Sequence, residues 1–162
     1  MDAIKFLTEQ HREIDRLFDD FEEASGGTKK KLQLCREISD LLAAHATIEE
    51  RIFYPATKDA RTKEKLREAV EEHLSVKRII ADLVDLSEID DEAEAKMSVM
   101  REQKEHHVEE EEKELFPTAR KLLGAERLEE LGKEMEDMFG ELMAAGEPRM
   151  QVPNETDHPA QI

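Results

Sequence analysis

A chain of 162 residues is long enough for one domain with a substantial core. Charged residues make up 40% and aromatics 4%, with no Trp, which disfavours a sheet and suits helices with broad solvated faces. The net charge of −17 argues against nucleic acid or anionic membranes as partners, because phosphate binding needs a basic surface.

Cys35 is the only cysteine, so no intramolecular disulfide can form, and it reads as a small core or boundary residue. The opening MDAIKFLTEQHRE lacks the build of a signal peptide, and no apolar run reaches membrane-spanning length. A cytoplasmic protein is expected.

Ile4, Leu7, Ile14, Phe18 and Phe21 fall at helical spacing, and the gap in their stripe is His11. The SGGT run at 25–28 is expected to stop this first helix and reverse the chain. A second helix points Leu34, Ile38, Leu41, Ile48 and Ile52 inward, with His45 in the gap, until Pro55 ends or kinks it. The third starts near Thr62 and buries Leu66, Val70, Ile80 and Leu83, with His73 on the same stripe. After a turn of capping residues at 87–93, the fourth carries Met97, Met100, His107 and Leu115, with Pro117 near its end. A shorter amphipathic segment runs through Leu128, Leu131, Met135, Met138 and Leu142, to cap the bundle or make a dimer contact; monomer and dimer both stay open. Residues 146–162 hold three of the five prolines and read as an irregular tail. The expected fold is all-α: an up-down-up-down four-helix bundle with a short additional C-terminal helix.

The histidines repeat. A step of 62 residues carries His11 onto His73, His45 onto His107, Glu49 onto Glu111 and Pro55 onto Pro117. The chain therefore contains two copies of one helical hairpin. Four residues is little more than one helical turn, so His45 and Glu49 share a face, as do His107 and Glu111. Two bare carboxylates in a core would cost several kcal/mol each. Metal cations would compensate them, structural zinc being worth about 10–16 kcal/mol in apparent terms. By symmetry, His11 and His45 would hold one ion and His73 and His107 a second, with Glu49 and Glu111 bridging. Imidazole with carboxylate suits iron, and also manganese or zinc. Glu-x-x-His, the ferritin-like pattern, is absent: Thr8, Leu42, Val70 and Lys104 precede the four histidines by three.

An isolated histidine on an apolar stripe is ordinarily a core residue, but four in matched pairs, each pair completed by a carboxylate, are not. His106 also has a Glu four residues on, Glu110, yet the ten-residue spacing to proline favours His107. Glu50 and Glu112 read as solvent-facing or helix-pairing charges, and Glu109, Glu110 and Glu112 as a solvated face. His158 lies in the tail and is set aside. Tyr54, the only tyrosine, has Phe116 as its repeat partner, so packing is its ordinary role. A regular helix would put it nearly opposite His45, but a turn disturbed by Pro55 would let it reach the centre as a further ligand or as a donor to one.

The order His … His-x-x-x-Glu … His … His-x-x-x-Glu, with EERIFYP and EEKELFP after the two pairs, resembles the hemerythrin-like (HHE cation-binding) proteins over about residues 5–120. The resemblance implies a hemerythrin-like domain over 1–145 and a non-haem di-iron centre with an oxygen bridge. It also implies the ligands His11, His45, Glu49, His73, His107 and Glu111. Oxygen-carrying hemerythrins have His-x-x-x-His on the third helix, where this chain has Lys77 after His73. Their fourth helix carries His-x-x-x-x-Asp, where Glu111 follows His107 here. The first departure opens one coordination position. The resulting expectation is a protein that binds or reacts with dioxygen, peroxide or nitric oxide, in oxidative stress or iron homeostasis. Peroxide disproportionation by an enzyme, an oxygen or iron sensor or store without turnover, and a metal-free acidic scaffold are the alternatives.

Overall fold

The computed structural model describes residues 1–25 and 28–162. Among these residues every regular element is helical, and no helix is long and apolar enough to cross a membrane. Helix α1 spans Ala3–Glu23, capped by Asp2, whose side chain accepts from the Lys5 amide. Its stripe of Ile4, Leu7, Ile14, Phe18 and Phe21 is buried throughout. The reversal expected from SGGT falls on Gly26 and Gly27, outside the described residues.

Helix α2 spans Thr28–Ile48 and runs into a π-helical turn, Glu49–Phe53, before a last turn at Tyr54–Ala56. Helix α3 covers Lys63–Leu83 and buries Leu66, Val70, Ile80 and Leu83. Asp90 caps α4, Asp91–Glu110, by accepting from the Ala93 amide. A second π-helical turn, Glu111–Leu115, leads into α5, Phe116–Ala145. The two π turns stand 62 residues apart, so the repeat extends from sequence to backbone. A π turn widens the coil by one residue, which gives the following proline room against the preceding carbonyls. Pro117 therefore does not end its helix. The break comes at Gly124, whose φ of +76° leaves the helical region at a value that glycine tolerates.

α1 packs on α2 and α3 on α4, while α5 lies against α1 and α2. Gly132 of α5 allows this approach, since a Cβ there would overlap the Met1 carbonyl. The irregular tail expected over 146–162 is not what forms. Pro148–Glu155 is a 3-10 helix seated on α2 and α3, with Val152 only 2% exposed. Prolines fit there because the fixed φ of the ring matches 3-10 backbone.

The buried apolar residues fall into two clusters. One gathers Ile14, Phe18, Ile38, Ile80, Met97 and Met100, and the other Leu7, Ile48, Phe53, Leu66, Leu115 and Leu128. On each of α1, α2, α3 and α4, the histidine sits where one cluster gives way to the other.

Candidate metal centre

His11, His45, His73 and His107 are all buried, and so are Glu49 and Glu111. Their facing atoms converge. His45 Nε2 lies 3.1 Å from Glu49 Oε1, and His73 Nε2 lies 3.0 Å from Glu49 Oε2. Glu49 thus reaches both halves of the repeat, one oxygen to each. Glu111 Oε1 is 3.4 Å from His11 Nε2 and 3.3 Å from His107 Nε2. The donor atoms form two overlapping groups that could each hold an ion: His11, His45, Glu49 and Glu111, and then Glu49, His73 and His107.

Tyr54 is fully buried and enters this space. Its hydroxyl is 2.8 Å from Glu111 Oε2, 3.1 Å from Glu49 Oε2, and 3.2 and 3.3 Å from the Nε2 atoms of His73 and His107. The π turn explains how: one additional residue in the coil rotates position 54 from the far side of the helix to the inner one. Phe116 does the same in the second copy but carries no hydroxyl. It stacks on His11 with ring centroids 5.9 Å apart, as Tyr54 stacks on His73 at 5.5 Å.

A model of the hemerythrin HHE cation binding domain matches residues 2–119. The chain belongs to that family. Its fold is also that of a solved hemerythrin HHE cation binding domain-containing protein from Mycobacterium kansasii. That protein is 22% identical, with a TM-score of 0.80 over 95% of this chain and 98% of the other. No curated protein matches this hemerythrin-like chain.

HHE domains bind metal ions, and the donor set here fits one. His11 Nε2, His45 Nε2, Glu49 Oε1 and Glu111 Oε1 are buried without a hydrogen-bond partner. Four such atoms facing each other are costly in any protein unless something electropositive joins them.

The outer ring nitrogens are all engaged. His11 Nδ1 meets Glu112 Oε2 at 2.9 Å, His45 Nδ1 meets Gln10 Oε1 at 2.6 Å, His73 Nδ1 meets Glu50 Oε2 at 2.7 Å, and His107 Nδ1 meets Glu72 Oε1 at 2.9 Å. Each partner accepts a hydrogen bond from Nδ1–H, which turns the Nε2 lone pair toward the centre and raises its basicity. Of the solvent-facing or helix-pairing reading of Glu50 and Glu112, the solvent-facing half is corrected: Glu50 is buried and Glu112 half-buried, and each joins a histidine and a cation of a neighbouring helix. Gln10 and Glu72 were missed by sequence reasoning, although the 62-residue step joins Gln10 to Glu72 and Glu50 to Glu112. Lys77 points to Glu50 Oε1 at 2.9 Å rather than toward the centre. His106 is exposed, beside Glu72 and Glu110, and His158 is exposed in the tail.

Burial penalises every charge here, and the neighbours decide where it is overcome. His107 is held well above its usual pKa because Glu111, Glu72 and Glu49 outweigh desolvation. His11 is raised by Glu111 and Glu112, and His73 by Glu49 and Glu50, against the same penalty. For His45 burial wins and the value falls. Glu49 is held well below 4.5 despite burial, by His45 and His73. Hydrogen bonds from His11, and then from Arg12, hold Glu112 down to about 2.

These directions set the pH response of the metal-free protein. The raised histidines contribute stability that is complete below 6.5 and is lost as pH rises through their folded values. The lowered glutamates contribute stability that is complete above 4.5 and is lost as pH falls through theirs. His45 works in the opposite sense to the other three imidazoles. Stability should peak between pH 4.5 and 6.5, which urea melts of chelator-treated protein across pH will check.

Proposed function

We propose that this hemerythrin-like protein holds two iron ions and uses them to bind and react with a small oxygen species, peroxide before dioxygen or nitric oxide. One observation carries the reading: two imidazole nitrogens and two carboxylate oxygens, orphaned in the interior, face each other beside a second pair of imidazoles. In it, His11 and His45 would hold one ion and His73 and His107 the other, with Glu49 and Glu111 shared between them. Iron suits mixed nitrogen and oxygen donors, and carboxylates accommodate both of its common charges. Bound there, it would supply reversible redox chemistry.

The chain's own residues do the rest. Gln10, Glu50, Glu72 and Glu112 fix the ring orientations. The Tyr54 hydroxyl, within hydrogen-bond reach of both bridging carboxylates, can hold or give a proton at the centre or bind metal as phenolate. A cavity of about 40 Å³ beside the four histidines, walled by Ile14, Leu42, Ala43, Val76, Ile80 and Val108, has room for a molecule of very few atoms. Its apolar walls favour small uncharged visitors over bulky or charged ones.

An up-down-up-down order of α1 to α4 goes with this centre. Each apolar cluster draws on opposite ends of successive helices, which supports it. We take residues 1–145 as the domain, 146–162 as an appended strap, and the cytoplasm as its compartment.

Metal analysis of aerobically purified protein tests the centre, with two irons per chain expected. Peroxide is then added and oxygen release followed, two peroxides giving one dioxygen and two waters. Turnover lost in His73→Ala marks an enzyme. Reversible spectral change without turnover marks a binder or sensor, and a folded protein without metal refutes the reading.

A further inference from the structure

We infer that Glu155, in the C-terminal 3-10 strap, is a positioning residue for the metal centre, acting through Lys77 and Glu50 on His73. The inference rests on the metal-centre reading. The strap lies beyond residues 2–119, which carry the family match, yet it is firmly seated. The Arg149 amide and guanidinium both donate to Asp40 of α2, at 3.0 and 2.8 Å. Arg78 of α3 donates to the Thr156 carbonyl at 3.1 Å.

From this strap an unbroken line of charges of alternating sign runs inward. Glu155 Oε1 is 3.1 Å from Lys77 Nζ, Lys77 Nζ is 2.9 Å from Glu50 Oε1, and Glu50 Oε2 is 2.7 Å from His73 Nδ1. Lys77 is 6% exposed. An ammonium so deeply placed is tolerated only when carboxylates compensate it. Glu50 alone would leave it one strong acceptor for three N–H donors. Glu155 supplies the second, so Lys77 stays beside Glu50, and Glu50 stays at an angle that grips the ring.

The other copy of the repeat is built differently. Glu112, the counterpart of Glu50, is braced by Arg12, whose side chain is 55% exposed and whose other ion pair, 3.7 Å to Asp15, lies on its own helix. Only the His73 half depends on a carboxylate from outside the repeat.

The test loads the full chain with iron(II) without oxygen and follows iron release to an excess of ferrous chelator. Replacing a residue that directly holds a ligand costs about 10–100-fold in metal affinity. Glu155→Ala, two links farther out, should speed release by about three- to tenfold. In a Lys77→Met background the same change should have no further effect, because the link is already cut. Should Lys77→Met fail to fold, Glu50→Gln serves as the second background. Unaltered release in Glu155→Ala overturns the inference. So does an acceleration that persists in the second background, since the strap would then act by general loosening. Wild-type protein that takes up no iron sinks the metal-centre reading instead.

Discussion

His45→Ala is expected to lose metal and melting temperature together. The ring supplies Nε2 to the His11, His45, Glu49 and Glu111 group, and its Nδ1 satisfies Gln10. Truncation leaves the Gln10 carbonyl without its imidazole, an orphan that costs about 1–3 kcal/mol, and takes away the ring that lies 3.1 Å from the already unpartnered, fully buried Glu49 Oε1. A total of about 3 kcal/mol lowers Tm by about 6–12 °C in a protein of this size, even before metal is considered. The loaded wild type also gains from linkage, about 2.7 kcal/mol when free metal stands at a hundred times Kd. The variant forfeits that as its affinity falls. The gap between the two proteins should therefore be wider with metal than after chelation. Calorimetry of both forms, with iron counted per chain, reads each effect separately. A variant that keeps two irons and the wild-type Tm would remove His45 from the ligand set.

The core of this protein was open to sequence reasoning because apolar period and ligand period coincide. His11, His45, His73 and His107 each fill a gap in a stripe that is otherwise Ile, Leu, Val, Phe or Met, and a helical face that is buried at one position is buried at the next. The outer partners were hidden for a complementary reason. Gln10, Glu50, Glu72 and Glu112 each sit one residue from an inward-facing side chain, about 100° round the helix. Seen on a single helix, that angle means solvent. Beside another helix it means that helix's histidine, and only tertiary packing supplies the neighbour. The signal that could have exposed them is the 62-residue step itself, which pairs these four positions as it pairs the inner six. The strap was unreadable for a different cause: three prolines in 146–162 argue against α-helix and strand, but not against a 3-10 helix pinned by Arg149 and Val152.

Tyr54→Phe is expected to leave the fold intact and to change the chemistry of the centre. The repeat itself supplies the control, since Phe116 occupies the equivalent place after the second π turn and packs there without a hydroxyl. Losing one oxygen from a stacked ring leaves the apolar contacts of Tyr54 with Phe53 and His73 in place, so the metal-free Tm should fall only by the cost of one unpartnered acceptor, Glu111 Oε2, about 1–3 kcal/mol or about 2–12 °C. The hydroxyl's surroundings are another matter. Burial and the charges of Glu111 and Glu49 push its pKa well above 10, so in the metal-free protein it keeps its proton and donates a hydrogen bond to Glu111. Two cations placed among the same carboxylates would reverse that field and favour the phenolate. If Tyr54 then binds iron, the oxidised protein carries a visible phenolate-to-iron absorption that vanishes in the variant, and metal affinity falls by more than tenfold. If it only donates to Glu111, no such band exists, and affinity falls within the about 10–100-fold range typical of partners that hold a ligand. Wild-type colour and affinity in the variant would mean that this tyrosine, for all its proximity, only packs.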